Sequence, residues 1–247
     1  MKTLNRYIVL FAVALGLATA AAPAFADPIT SLFSTGVDAN GNVITQEVLV
    51  DPHWSLVYSP PSFSGDNPFG YNVAITGGSY YNSNIWQPGI GTAGWIGPDS
   101  HVYGWQGPDN GPLNGTQGNY GYETTFDLTG FNLASVNISG LIAASDFNRD
   151  NGLQVAYLNG INVPMPVAGP DFVPFSIDQA NAGGDFVAGI NTLEFEVYNS
   201  GGNPLQATGM SVIFTSATAT LPDGGATVTL LGGALAGLAM LRRRLVK

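Results

Sequence analysis

Leu193-Glu194-Phe195-Glu196-Val197-Tyr198 decides the fold class. Side chains alternate across a strand, so Leu193, Phe195 and Val197 share one face and the two glutamates share the other. An unpaired carboxylate is costly to bury, so the glutamate face meets solvent and the apolar face meets a core. The same period of two recurs in Val136-Asn137-Ile138-Ser139 and Met210-Ser211-Val212. Residues 124–128, 153–158 and 173–177 are further strand candidates, and Asn159-Gly160, Gly183-Gly184 and Gly201-Gly202 are turn dipeptides between them. No segment between the two ends sustains a period of 3.6. Strands at this spacing predict an all-β fold, an antiparallel sandwich of jelly-roll type. Upstream, Asn40-Gly41 between 33–35 and 43–50 predicts a hairpin. Residues 51–119 are rich in Gly, Pro and Asn and hold all four tryptophans, Trp54, Trp86, Trp95 and Trp105. A structureless stretch of that length is rare inside a compact domain, so short strands and long loops of the same sandwich are expected there.

Composition agrees. Charged residues are 10% of the 247, against roughly 25% in a typical soluble domain. With 33 Gly and 16 Pro, the chain suits short strands and many turns. It has no cysteine, hence no disulfide, thiolate metal site or cysteine nucleophile. Of seven cations only Arg149 lies between the two ends, and of 17 acids only Asp223 lies beyond Leu221. Residues 27–221 therefore carry 16 acids and one base, a formal charge of −15. A phosphate backbone is bound mainly by Lys and Arg releasing counterions, so nucleic-acid binding is excluded. Docking of the folded part onto anionic lipid is excluded on the same ground.

The two ends read as addresses. Residues 1–26 have the form of a secretory signal: Lys2 and Arg6, an apolar run over 7–22, and Ala24-Phe25-Ala26 ahead of Asp27. Cleavage between Ala26 and Asp27, Sec translocation and signal peptidase follow from that reading. At the other end stand Leu221-Pro222-Asp223-Gly224-Gly225, then an uncharged stretch over 226–241, then Arg242-Arg243-Arg244 and Lys247. Sixteen residues of helix span about 24 Å, short of a bilayer core of about 30 Å. The stretch is read as a weak transmembrane helix whose basic cluster stays cytoplasmic. The expected organisation is a signal peptide at 1–26, a sandwich at 27–218 (loop-rich over 27–119, regular over 120–218) and a sorting signal at 221–247.

This tail resembles the PEP-CTERM class of bacterial sorting signals, in its Val-Pro-Asp-Ser-Gly variant, with Leu221 in place of Val and Gly224 in place of Ser. The resemblance implies an exosortase-type transpeptidase as partner and a cut near Pro222 to Gly225. Transient inner-membrane anchoring, then release or attachment in the outer envelope or extracellular matrix, is implied as well. Residues 30–216 also resemble a domain found ahead of such tails, through phrases such as Val50-Asp51-Pro52-His53-Trp54, Tyr122-Glu123-Thr124-Thr125-Phe126-Asp127-Leu128 and Gly189-Ile190-Asn191-Thr192-Leu193. That resemblance implies a galactose-binding-like sandwich.

Candidate chemistry is sparse. Trp86, Trp95 and Trp105 stand nine and ten residues apart, and flat rings suit stacking on sugars of an extracellular polysaccharide. The competing reading places the same rings in the core. Asp146, Asn148 and Asp150 put oxygen ligands at alternate positions, as hard Ca²⁺ prefers. The competing reading is a self-bonded polar turn around Arg149. Apart from this Ca²⁺ no cofactor is expected. His53 and His101 are the two imidazoles, with no Gly-x-Ser-x-Gly elbow and no His-Glu-x-x-His pair, and no carboxylate pair selects itself for glycoside hydrolysis. The expectation is a non-enzymatic structural or adhesive protein of envelope, matrix or biofilm. A carbohydrate-binding module using the tryptophans is the alternative.

Overall fold

The computed structural model describes residues 25–44, 47–60, 75–77, 93–98, 117–145, 153–166, 168–169, 171–182, 185–199, 209–222, 232–238 and 242. Among them are twelve strands: β1 (Ala26–Pro28), β2 (Glu47–Val50), β3 (Trp54–Tyr58), β4 (Ile75–Gly77), β5 (Ile96–Gly97), β6 (Gly118–Asp127), β7 (Asn137–Ser145), β8 (Leu153–Leu158), β9 (Ile161–Val163), β10 (Val173–Asp178), β11 (Ile190–Asn199) and β12 (Gly209–Thr220). One sheet runs β10-β7-β12-β5-β4-β2, with β1 also on β12; the other runs β3-β6-β11-β8-β9. From β6 on, the chain changes sheet at every connection except the β8–β9 hairpin. The fold is all-β and antiparallel, as the alternation requires.

The deciding stretch lies in β11, which pairs along its whole length with β6, from Ile190↔Asp127 to Asn199↔Gly118. Leu193, Phe195 and Val197 are fully buried, while Glu194 and Glu196 are half-buried on the opposite face. Across the gap stand Ile138, Ile142 and Ala144 of β7, Phe175 and Ile177 of β10, and Met210 and Val212 of β12, all in one cluster. Its aromatic centre joins both sheets. Trp54 of β3 lies 6.5 Å from Phe214 of β12, nearly parallel, and 5.9 Å from Phe195. Phe175 meets Phe195 and Phe214 edge-on at 6.2 and 6.0 Å. Edge-to-face aromatic pairs add roughly 0.5–1.5 kcal/mol beyond the area they bury.

Two glycines make room for this packing. A Cβ on Gly140 of β7 would fall on the carbonyl oxygen of Ile213 and come within 2.9 Å of the Phe175 ring. Gly140 faces Phe214 at the point where β12 carries an extra residue, Phe214 and Ser216 pairing with Gly140 and Ser139. Gly121 of β6 plays the matching part on the outer face of the other sheet. Between them the chain turns tightly at Asn159-Gly160, both left-handed (φ 52° and 80°), which closes β8 onto β9 with Leu158 opposite Ile161. This is the mirror-image turn that Asn-Gly favours. The turn is stitched to β11. Buried Asn191 accepts from Asn159 Nδ2 and Val187 N–H, and donates to the Val187 and Gly189 carbonyls, all at 2.8–2.9 Å.

A hairpin forms at Asn40-Gly41, shorter than expected: its ladder is the one antiparallel bridge Val37↔Val43, flanked by bonds from Asp38 N–H to the Asn42 oxygen and from Ile44 N–H to the Gly36 oxygen, while β2 pairs with β4. The Asp38 carboxylate steadies the turn by accepting the Asn40 and Asn42 amides at 2.8 and 2.9 Å.

The chain divides into two compact units, one of them Asp27–Ala219, which holds the sheets, and the other made of the two chain ends. In the second unit residues 232–238 are helical, with Leu235 and Leu238 exposed. Among the described residues no helix is long and apolar enough to cross a membrane. Most of the expected span at 226–241 lies outside the described residues.

Candidate functional site

The outer face of the five-stranded sheet carries the densest polar chemistry in the described residues. The register sets Glu194 of β11 between Glu123 of β6 and Tyr157 of β8, with Ser55 of β3 beyond Glu123. One rung therefore reads Ser55–Glu123–Glu194–Tyr157. Like charges directly opposed across strands are destabilising. Burial holds the Glu123 carboxyl above its usual range. Burial does the same to Glu194, with the Glu123 and Glu196 charges pushing the same way and the Tyr58 hydroxyl opposing.

The next rung is built around a bulge. Leu56 pairs with Tyr122 but Tyr58 pairs with Gly121, so β3 holds one extra residue. A bulge re-aims the side chains beyond it. Leu56 points into the core, while Tyr58 turns outward and lies over Gly121, where any Cβ would fall inside its ring. The Tyr58 hydroxyl donates to Glu196 Oε2, and Asn119 Nδ2 donates to Glu196 Oε1 at 2.7 Å. Burial first, then the Glu196 bond and the nearby carboxylates, push the Tyr58 phenol above its ordinary value. Gln117 donates to the Tyr198 hydroxyl at 2.9 Å. The face thus offers tyrosine rings, carboxylates and amides side by side.

A second polar centre ties the N-terminal loop to the sheets. Asp51 is 2% exposed. Its carboxylate accepts the Gly36 amide at 2.6 Å and the His53 amide at 2.8 Å. Burial outweighs those bonds and the His53 charge and pushes the acid up to about 6. The His53 ring stacks on Phe33 at 3.8 Å, with Nε2 2.9 Å from the Asp38 carbonyl oxygen. The imidazole is therefore spent on packing. Thr35 completes the tie, bonding Val212 through both backbone and hydroxyl and Gly94 through its hydroxyl.

Of the expected site residues, Trp95 is 6% exposed and packs on Phe172 at 6.3 Å, beside Ala143 on the outer face of β7. Its ring is covered by protein. Trp86 and Trp105 lie outside the described residues, as do Asp146, Asn148 and Asp150. Among the described residues no group of three or more His, Cys, Asp or Glu is placed to hold a metal ion. Ala26 and Asp27 begin β1, whose pairing with β12 continues in the bond from Ile29 N–H to the Ala217 oxygen at 2.8 Å. Leu221 and Pro222 are exposed just past the end of β12; Asp223, Gly224 and Gly225 lie outside the described residues. Arg242 is helical and exposed, while Arg243, Arg244 and Lys247 lie outside.

Sequence reasoning turned Glu194 and Glu196 outward but missed their partners. The signal was present: Glu123, Thr125 and Asp127 share one parity in a strand whose other parity holds Tyr120, Tyr122 and Phe126, with Thr124 the one small polar residue among them. No comparable signal marked Asp51, since a lone Asp before Pro reads as a turn residue.

The C-terminal tail carries the match to a known sorting motif. Residues 222–245 match the VPDSG-CTERM motif. The matched stretch opens two residues beyond the last residue of β12. Such a motif points to an exported protein handled by an exosortase-type system. No curated protein matches the chain.

Proposed function

We propose that this chain is an exosortase substrate whose sandwich, once freed of its leader and tail, serves a structural or adhesive role in the outer envelope or extracellular matrix, without catalysis. The observation that carries this reading is the sorting motif at 222–245, set directly after the closing strand of an all-β sandwich. Leader removal falls between Ala26 and Asp27, and the sorting cut falls within 222–225. In this reading the apolar stretch 226–241 anchors the chain transiently in the inner membrane, with Arg242, Arg243, Arg244 and Lys247 on the cytoplasmic side. The crossing of the chain between sheets from β6 on supports a jelly-roll, galactose-binding-like assignment. The deciding experiment is intact mass of the protein from each cell fraction of its host. A species running from Asp27 to the motif is expected; a membrane-bound species still ending at Lys247 would overturn sorting.

A second reading, glycan binding, is supported by the outer face of the five-stranded sheet. Tyr58, Tyr157 and Tyr198 offer rings for stacking, and Glu123, Glu194, Glu196 and Asn119 offer groups for hydroxyls. This places the ligand on tyrosines, with Trp95 in a packed role and Ca²⁺ at Asp146, Asn148 and Asp150 as an optional aid. Retention on an immobilised polysaccharide that Tyr157→Ala abolishes at unchanged melting temperature would support it. Retention indifferent to both Tyr157→Ala and EDTA would end it.

A further inference from the structure

We propose that β1 is a latch on the sorting site, so that the tail is cut from a state in which the last residues of β12 have come away from β1. This deepens the sorting reading and rests on it. A single residue, Leu221, separates Thr220 at the end of β12 from Pro222, where the motif begins. An enzyme that cuts a peptide needs backbone on both sides of the bond free to enter its cleft. Here the residues just upstream are spent. Thr218 pairs with Asn137 of β7, the Ala217 oxygen accepts from Ile29, and Ala219 is fully buried.

The two flanks of β12 are unequal. On one side β7 holds it through nine residue pairs. On the other, near this end, stands the three-residue β1, whose Ala26 and Pro28 are exposed. What fastens β1 is the residue after it: Ile29 is 3% exposed and belongs to the main core. The bulge at Phe214/Ser216 divides the β7 ladder, leaving Ser216↔Ser139, Ala217↔Ile138 and Thr218↔Asn137 as a short terminal group. Once β1 lifts, the β7 ladder grips the end of β12 through those three pairs beyond the bulge, against six before it. Cleavage of a folded chain then follows the population of that open form.

The test uses the full chain in its host, followed by pulse-chase with intact mass to place the cut. One variant carries a flexible Gly/Ser spacer of about six residues between Leu221 and Pro222, which leaves the sandwich untouched. A second carries Ile29→Ala. Each should speed the cut by roughly tenfold, because each enlarges the population that can enter the enzyme. In the spacer chain Ile29→Ala should add nothing, since the cut site is already clear of the sheet. Equal rates for parent and spacer chains would overturn the latch while leaving sorting intact. An Ile29→Ala effect that persists in the spacer chain would also overturn it, showing general destabilisation instead. A chain ending at Lys247 in every variant would overturn the sorting reading and the latch together.

Discussion

Replacing Asp51 with Asn should abolish a fall of stability with rising pH, although it removes a charge that accepts two backbone amides. Burial raises this acid from an ordinary 3.8 to about 6. Between those values the folded state holds more proton than the unfolded state. The unfolding free energy therefore falls as pH rises through the window, and the contribution is fully present only below about pH 4. A difference of about 2.2 units at roughly 1.4 kcal/mol each amounts to about 3 kcal/mol lost by pH 7.5, and about 1.5 kcal/mol lost by pH 5. Asn does not titrate, but its NH2 must stand where one carboxylate oxygen now accepts a backbone N–H, so the variant loses that bond at every pH, a constant cost of about 1–3 kcal/mol. The difference between variant and parent should thus move in the variant's favour by about 1.5 kcal/mol between pH 4 and pH 5 and by about 3 kcal/mol by pH 7.5, from a starting deficit at pH 4. Urea unfolding followed by tryptophan fluorescence at each pH reads the gap directly. A gap that stays the same between pH 4 and pH 7.5, or one that moves in the parent's favour as pH rises, would refute the reasoning.

Four further outcomes are expected. Gly140→Ala should destabilise by about 3 kcal/mol or more, since its Cβ meets a backbone oxygen that cannot step aside, and the midpoint in urea measures it. Asn191→Asp should cost about 3 kcal/mol or more, because the Val187 and Gly189 carbonyls would then face a group that donates nothing; recovery of the loss at low pH, where the acid protonates, is a second check. Glu194→Gln should raise the melting temperature above pH 6 and flatten its decline with pH, as it removes one partner of an opposed acid pair; an unchanged curve would count against the register-based account. Gly121→Ala should unseat Tyr58 from the outer face and loosen Glu196, so that on base titration the red-shifted tyrosinate absorbance of this phenol appears at lower pH than in the parent.

Much of the sandwich was legible because burial on one face leaves a period of two. The expected strands at 153–158 and 173–177 correspond closely to β8 and β10, and the alternation in 193–198 sets the inward face of β11. The Asn-Gly dipeptide turned the chain back in both places, but into hairpins of different length. At 159–160 two strands of matched pattern flank it, and β8 pairs with β9. At 40–41 the ladder is one bridge, Val37↔Val43, around a turn that Asp38 holds through the Asn40 and Asn42 amides. Bulges were illegible: nothing in Trp54-Ser55-Leu56-Val57-Tyr58 marks Tyr58 as the residue that changes face, because the cause is the empty site at Gly121, far away in sequence. The polar centre at Asp51 was hidden likewise, since its partner Gly36 is fixed through its neighbour Thr35, which bonds Gly94 and Val212. The sorting tail needed no fold at all to be recognised, being a linear order of residue types.

The position of β12 also fixes how the sandwich would carry a load. A domain held by its C-terminal end takes tension into β12 along the strand axis. The hydrogen bonds that resist lie across that axis, in a ladder running from Thr218↔Asn137 to Gly209↔Ser145. Bonds set crosswise to a pull share it and fail together, whereas bonds set in line with it would peel singly. The strand that leads to the tail is thus in the mechanically favourable geometry.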